Sequence, residues 1–177
     1  MSGDAARVIQ RHGHLLAIVS DGLGHGPPAH DASARATAWL DAHPSADVSV
    51  LMTGLHTALQ GTIGAAIGIG SINQADRALR FVGVGNIVAR IFGKRPRGLM
   101  SRPGTVGLAM STAQVQTDKL EVGDVLVMHS DGISSSFKLE DYAVILEASP
   151  EISSSEIVRR FGKPYDDASC VVAKCEA

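Results

Sequence analysis

Short apolar runs bounded by polar or glycine-rich segments recur along the chain and predict most of its strands. Residues 14–20 (HLLAIVS) form an aliphatic run that is typical of a buried strand. Two further apolar runs, at 64–72 and 78–86, flank the polar segment NQADR, and this pattern predicts a hairpin. Residues 87–92 (IVARIF) are predicted to extend the second strand of that hairpin or to pair with it.

The second half of the chain repeats the pattern with longer interruptions. Residues 93–114 are rich in Gly, Pro, Ser and Thr, which indicates loop or edge structure. Residues 120–134 predict a turn, an apolar strand and then an Asp-Gly pair. A double Asp opens the segment 166–174, which leads into the final strand.

Helical periodicity predicts the remaining elements. An Ala-rich helix is expected over 29–43, after two prolines. A second amphipathic helix follows Pro44, and two more candidates lie around 139–148 and 153–162. Because the helices come in pairs between groups of strands, the order favours an α+β fold over one-to-one βα alternation.

Composition limits the classes of function. With 177 residues and an apolar fraction of 45%, the chain is long enough for one domain, predicted over 1–177. A net charge of −2 and an aromatic content of 4% argue against a nucleic-acid partner. No apolar run approaches a membrane span, and the N-terminus has no secretory pattern. Cys170 and Cys175 are expected to be free thiols, so we expect a cytoplasmic protein without a membrane partner.

Aspartates at the ends of apolar runs carry the chemical signal. Asp21 and Asp131 each end such a run and precede a glycine, Asp166 and Asp167 open another, and Asp4 precedes the first strand pair. Carboxylates at the ends of buried strands are unfavourable unless a positive group meets them, and no Lys or Arg adjoins them in sequence. A shared divalent cation would neutralise several at once. Oxygen ligands select hard ions such as Mg²⁺ or Mn²⁺.

The simpler alternative is that each Asp-Gly pair is a turn. Asp-Gly is a common turn dipeptide, so one instance would mean little. Two instances at the ends of apolar runs, with Asp-Asp at the start of a third, are harder to explain as turns alone, so the turn and the metal site both stay open. Glycine after the Asp would let the backbone approach the ion closely.

Five motifs occur in the order seen in a known family. They are SGD at 2–4, SDGLGHG at 20–26, FVGVGN at 81–86, HSDGI at 129–133 and DDAS at 166–169. In this order they resemble the metal-dependent protein phosphatases of the 2C class (the PPM family), and most closely the bacterial SpoIIE-like and RsbX-like branch. The resemblance spans nearly the whole chain.

The resemblance implies a fold and a chemistry. The fold would be an αββα sandwich, in which two mostly antiparallel sheets are flanked by helix pairs, with a dinuclear metal centre at one end. Two Mn²⁺ or Mg²⁺ ions would activate a water for in-line attack on a phosphoryl group. Asp21 and Asp131, with this metal-bound water, would be the catalytic residues.

The resemblance also implies a ligand set. Asp21 would bridge both ions, and the Gly22 carbonyl and Asp4 would complete one of them. Asp131 and Asp166 would hold the other ion.

Three positions refine this assignment. Asp167 is the alternative ligand to Asp166. In larger members of the family a His follows Asp-Gly directly, whereas this chain has Leu23 there and places His25 two residues later. His25 is a candidate for a role near the metals, with local turn structure as the alternative. Asn86 replaces an Asp that contributes to a third ion in the larger enzymes.

A cluster of basic residues lies in the loop-like region, where residues 87–117 contain no acid. Its members are Arg90, Lys94, Arg95, Arg97 and Arg102. One interpretation is a basic lip that recruits a phosphorylated protein. The other is a solvated loop.

The expected function is a serine/threonine protein phosphatase. RsbX-like resemblance implies phosphorylated STAS-domain proteins of the stressosome, or anti-sigma antagonists, as substrates, and we expect a monomer. The alternative is a catalytically inactive module with the phosphatase fold that docks a regulatory partner. Nucleotide binding by DGLGHG is disfavoured because no Gly-Lys-Ser/Thr accompanies it.

Overall fold

The structure is a computed structural model that describes residues 1–134, 145 and 147–176. The helices are α1 Pro27–Ala42, α2 Val48–Ala58 and α3 Pro150–Phe161. The strands are β1 Asp4–Arg11, β2 His14–Gly22, β3 Ala65–Asn73, β4 Ala78–Val84, β5 Val88–Phe92, β6 Arg97–Leu99, β7 Gly104–Thr105, β8 Ala109–Met110, β9 Gln116–Lys119, β10 Val125–His129 and β11 Cys170–Lys174.

Two antiparallel sheets form the centre of the molecule. The larger sheet has the strand order β1-β2-β3-β4-β9, and the smaller has the order β11-β10-β5-β6. Strands β7 and β8 form a separate two-stranded ribbon. The predicted hairpin is confirmed, because Ile67 of β3 pairs with Val84 of β4 in antiparallel register.

Alternating side chains on the strands divide the core into layers. On β2, Leu16 and Ile18 pack toward α1 and α2, whereas Ala17 and Val19 pack into the space between the sheets. This alternation is the two-residue period of a strand buried on both faces. On the far side of the smaller sheet, Ile157 of α3 packs into a third cluster. The layers are therefore helix, sheet, sheet and helix, as the resemblance implies.

Two of the predicted helices begin slightly earlier than the periodicity indicates. Helix α1 starts at Pro27 and α3 at Pro150, because proline has a preset φ and is favoured in a first turn. Helix α2 is capped by Asp47, whose side chain accepts hydrogen bonds from the backbone N–H groups of Ser49 and Val50. The candidate helix around 139–148 falls largely outside the described residues. None of the described helices is long and apolar enough to cross a membrane.

The prediction that residues 87–92 continue or pair with the hairpin is wrong. Strand β5 pairs instead with β10 and β6, in the other sheet. The chain turns at Gly85, where φ is +91° and an added Cβ would lie 2.4 Å from the Cβ of Ala66. This crossing places Asn86 where the two sheets meet, at one end of the sandwich.

Two elements at the sheet edges were not assigned from sequence. Strand β9 contains no apolar run, and it pairs with β4 through residues such as Gln116 and Lys119. Asp4, expected just before the first strand pair, is the first residue of β1. It stands directly opposite Asp21 in the β1–β2 register, which brings two of the predicted site residues together.

Candidate metal and active site

Both sheets contribute carboxylates to one end of the sandwich. Asp4 and Asp21 come from paired strands of the larger sheet. Asp131 follows β10 and Asp166 precedes β11, and these two strands are paired antiparallel in the smaller sheet. The end of one strand and the start of the next therefore lie side by side. The acidic residues singled out in the sequence are brought to the same region of the fold.

Two neighbouring cavities open at this end. One, of about 490 Å³, is lined by Asp21, Asn86, Asp131 and Asp166 together with glycine backbone. The other, of about 340 Å³, is lined by Asp4, Asp21, Asp166, Asp167 and His25, among others. Asp21 and Asp166 line both cavities. The carboxylates therefore surround an accessible space, rather than being sealed in the core.

Neutral donors hold several of these carboxylates in place. The Asn86 side chain donates from Nδ2 to Asp131 Oδ2 at 2.7 Å and to Asp21 Oδ2 at 3.5 Å. The Gly3 backbone N–H donates to Asp167 Oδ2 at 2.6 Å. Asp4 Oδ2 accepts a hydrogen bond from the Ser130 hydroxyl. Amide and hydroxyl donors orient the carboxylates but do not neutralise their charge.

Burial and the neighbouring negative charges raise the pKa of two carboxylates in the site. Burial, together with the charges of Asp4 and Asp131, raises the pKa of Asp21 to about 7. Burial also raises the pKa of Asp4, with the charges of Asp167 and Asp166 acting in the same direction. In the described part of the chain, no ion pair joins these carboxylates to a basic side chain.

The donor chemistry suits a hard divalent cation, because the side-chain donors are carboxylate oxygens. However, among residues 1–134, 145 and 147–176, no three His, Cys, Asp or Glu side chains are already arranged to hold a single ion. The Asn86 amide instead bridges Asp21 and Asp131. Ligation would require these side chains to draw together around the ion.

The two Asp-Gly glycines are required by close backbone packing. A Cβ on Gly22 would lie 2.2 Å from the carbonyl oxygen of Ala29, in the first turn of α1. A Cβ on Gly132 would lie 1.7 Å from the carbonyl oxygen of Asp167. The second contact joins the Asp-Gly motif after β10 to the Asp-Asp motif before β11. The turn interpretation holds for Asp131-Gly132, whereas Asp21-Gly22 ends strand β2; the close approach of this backbone to an ion stays a prediction.

The remaining predicted residues occupy distinct places. His25 is exposed and lines the smaller cavity. Asp166 lines both cavities, whereas Asp167 lines only the smaller one and is held by Gly3. The metal-ligand roles, that of the Gly22 carbonyl included, stay predictions.

The basic side chains of the predicted cluster mainly contact other residues of this chain. Arg97 donates to Asp118 at 2.6 Å and to the buried Asp124 at 3.3 Å. Arg95 pairs with Glu121, and Arg90 lies over the Phe92 ring at 5.0 Å. Several of these cations are therefore satisfied by the chain itself.

The residue that sequence reasoning missed is Ser130. It is fully buried and contacts Asp4 from the opposite sheet. The available signal was a serine directly before the second Asp-Gly pair, at the end of a fully buried strand. Nothing in the local sequence connects it to Asp4, which lies 126 residues away.

Comparison with known proteins assigns this chain to a family. The family model for Stage II sporulation protein E (SpoIIE) matches residues 11–176. Phosphoserine phosphatase RsbX from Bacillus subtilis is 27% identical over 124 residues, which cover 68% of this chain and 61% of that protein. The chain thus aligns with less than two thirds of this relative's length.

Solved structures share the fold. A chain from a structure of the bacterial stressosome, a modular system adapted to control secondary messenger signalling, has a TM-score of 0.89 and 26% identity, covering 98% of this chain and 92% of its own. RsbX in complex with magnesium has a TM-score of 0.83 and 22% identity, covering 97% and 86%. The PP2C phosphatase domain of SpoIIE from Bacillus subtilis, solved with a fragment of its regulatory domain, has a TM-score of 0.74 and 22% identity, covering 97% and 58%. With the family model matched across residues 11–176, this chain belongs to the SpoIIE family.

Proposed function

We propose that this protein is a divalent-metal-dependent phosphatase that hydrolyses phosphoserine and phosphothreonine on proteins. The observation that carries the proposal is the convergence of Asp4, Asp21, Asp131 and Asp166 from both sheets on one accessible end of the fold. Membership of the SpoIIE family supports it, as does similarity to a phosphoserine phosphatase.

The proposed ligands follow the positions of the carboxylates. Asp21, which lines both cavities, would bridge two Mn²⁺ or Mg²⁺ ions. Asp4 and the Gly22 carbonyl would complete one ion. Asp131 and Asp166 would hold the other, with Asp167 as the alternative to Asp166. When bound, such ions supply an activated water and offset the charge of a phosphoryl group.

The chain's own residues would position the phosphate. The Asn86 amide, which donates to Asp131 and Asp21, would keep both carboxylates facing the larger cavity. Gly85 and Gly104 line that cavity without side chains, so a phosphoryl group could come close to the carboxylate cluster. His25, exposed at the smaller cavity, is the residue we propose to hold a proton near the leaving oxygen.

We propose phosphorylated STAS-domain proteins, of the stressosome or of anti-sigma-antagonist type, as the substrates. Support comes from the similarity to RsbX and to a chain of a stressosome structure. A cytoplasmic location is part of this proposal, since both cysteines are free thiols.

The alternative function is a docking module without catalysis. One observation favours it: within the described residues, no three potential ligands already form a metal site. The two functions differ in turnover, since a docking module would bind its partner without hydrolysing it.

Hydrolysis of p-nitrophenyl phosphate separates these functions. The wild-type protein should turn over with Mn²⁺ and stop with excess EDTA, and Asp131→Asn should abolish turnover. Asp76→Asn is the matched control, because Asp76 is exposed in the β3–β4 turn and Asn can still accept from the Ala78 N–H. Folded protein that binds Mn²⁺ but hydrolyses neither this substrate nor phosphoserine peptides would support the docking module. Absence of Mn²⁺ binding would refute the ligand assignment.

A further inference from the structure

We propose that Ser130 is a positioning residue that holds the Asp4 carboxylate in the metal site from the opposite sheet. This inference rests on the proposed function, because it concerns the site to which Asp4 is assigned. Ser130 follows β10 in the smaller sheet, whereas Asp4 opens β1 in the larger one. Their hydrogen bond therefore joins the two sheets at the site itself.

The hydrogen bonds around Ser130 fix the direction of its hydroxyl proton. Ser130 Oγ accepts a hydrogen bond from the backbone N–H of Ser169 at 3.0 Å. A serine hydroxyl carries one proton, and here that proton is donated to Asp4 Oδ2. The Ser130 N–H donates in turn to the Ser169 carbonyl at 3.1 Å. The Ser130 hydroxyl thus makes one hydrogen bond as acceptor and one as donor, and both fix its orientation.

Burial makes this arrangement rigid. Ser130 is 0% exposed, so water does not compete for its hydroxyl. A hydrogen bond from a neutral donor to a carboxylate is among the stronger kinds in proteins. Asp4 also faces Asp21 across the β1–β2 ladder, where two like charges repel each other. The Ser130 hydroxyl therefore holds Asp4 close to Asp21 against that repulsion.

Ser169 provides a matched control within the same buried cluster. It contacts Ser130 through its backbone N–H and carbonyl, which remain after substitution by alanine. Its own hydroxyl has no hydrogen-bond partner among the described residues. Ser169→Ala therefore removes a buried hydroxyl of the same kind without disturbing the bond to Asp4.

The test measures Mn²⁺ affinity by isothermal titration calorimetry in the absence of any substrate. Ser130→Ala should weaken Mn²⁺ binding by about tenfold, as is typical when a residue that orients a metal ligand is removed. Ser169→Ala should leave the affinity unchanged. In an Asp4→Ala background, which removes the oxygen that accepts from Ser130, Ser130→Ala should cause no further loss of Mn²⁺ affinity, because its effect passes through Asp4.

A second variant guards against failure to fold. Ser130→Cys keeps a side chain of similar shape but offers only a weak S–H donor, so its Mn²⁺ affinity should also fall. Thermal unfolding in EDTA checks that each variant is folded.

Two results would overturn the proposal. One is equal Mn²⁺ affinity in folded Ser130→Ala or Ser130→Cys and in Ser169→Ala. The other is an undiminished effect of Ser130→Ala in the Asp4→Ala background, which would mean that Ser130 does not act through Asp4. Failure of the proposed function is distinct: the wild-type protein would then bind no Mn²⁺, or bind it without turnover.

Discussion

Glycine performs a steric task at each Asp-Gly motif. Gly132 lies against the backbone of Asp167, and Gly22 lies against the backbone of Ala29. In both cases the obstructing atom is a main-chain carbonyl oxygen, which cannot move aside as a flexible side chain can. The motif is therefore limited to glycine by packing as well as by any role at the metals.

Gly132→Ala tests this packing directly. An added Cβ would lie 1.7 Å from the Asp167 carbonyl oxygen, so β10 and β11 must separate at the site. We expect a loss of about 1–3 kcal/mol in the free energy of unfolding, measured by urea denaturation. Gly98→Ala is the control, because its nearest neighbour would be the Ala89 carbonyl oxygen at 4.0 Å. Equal stability of both variants would contradict this account.

Asn86 is the second residue whose chemistry can be tested alone. Asn86→Asp removes the amide donor to Asp131 and Asp21 and adds a like charge beside them. In EDTA we expect the unfolding free energy to fall by about 1 kcal/mol or more. Added Mn²⁺ should reverse the loss.

The matched control for Asn86→Asp is Asn73→Asp. The Asn73 side-chain oxygen accepts a hydrogen bond from the Ala75 N–H, a role that Asp can also fill. If Mn²⁺ raised the unfolding free energy of Asn86→Asp less than that of wild-type protein, this would argue against a cation at this position.

At the level of elements, helix α2 is held by a charged cap. Asp47 accepts hydrogen bonds from the Ser49 hydroxyl at 2.7 Å and from Arg80 at 2.9 Å, in addition to the Ser49 N–H at 2.8 Å. The Ser49 hydroxyl, followed by Arg80, lowers the pKa of Asp47 well below its ordinary value of 3.8. The cap therefore depends on the ionised carboxylate and joins α2 to β4 of the larger sheet.

This cap predicts a pH-dependent stability. Because the pKa of Asp47 is lower in the folded protein than in the unfolded chain, its stabilisation is full well above pH 3.8 and is lost as the pH falls below that value. Asp47→Ala should lower the unfolding free energy by about 1 kcal/mol at pH 7. The difference from wild-type protein should shrink toward pH 3. Asp47→Asn, which keeps a capping oxygen, should lose less at pH 7, and a pH-independent difference would refute this explanation.

At the scale of the whole molecule, the site lies between two sheets and depends on their packing. The larger sheet supplies Asp4 and Asp21, and the segments that follow β10 and precede β11 of the smaller sheet supply Asp131 and Asp166. A cation bound between them would stabilise the folded state, because the unfolded chain does not gather these ligands. One domain over 1–177 and a monomeric state stay predictions.

Metal binding should therefore raise the melting temperature. At a Mn²⁺ concentration about 100 times the dissociation constant, the linkage amounts to about 2.7 kcal/mol, which corresponds to several degrees. Differential scanning calorimetry with Mn²⁺ and with EDTA measures the shift. Asp131→Asn should lose most of it and Asp76→Asn none. An unchanged melting temperature in wild-type protein at saturating Mn²⁺ would count against the site.

The sequence by itself determined most of the local elements and predicted which aspartates form the candidate site. Apolar runs and caps predicted β2, the β3–β4 hairpin, α1, α2 and α3, because strand and helix periodicity and helix-end chemistry are local properties. The motif order predicted which aspartates matter. The family comparison confirms that resemblance.

Only the tertiary structure decided how distant segments meet. The crossing of β5 into the second sheet depends on which sheet its apolar face can cover, and residues 87–92 alone do not encode that choice. The Ser130–Asp4 hydrogen bond forms because the two sheets pack together. The contact of Gly132 with Asp167 forms because β10 pairs with β11. Such contacts arise from the packing of whole elements, so no local pattern in the sequence reports them.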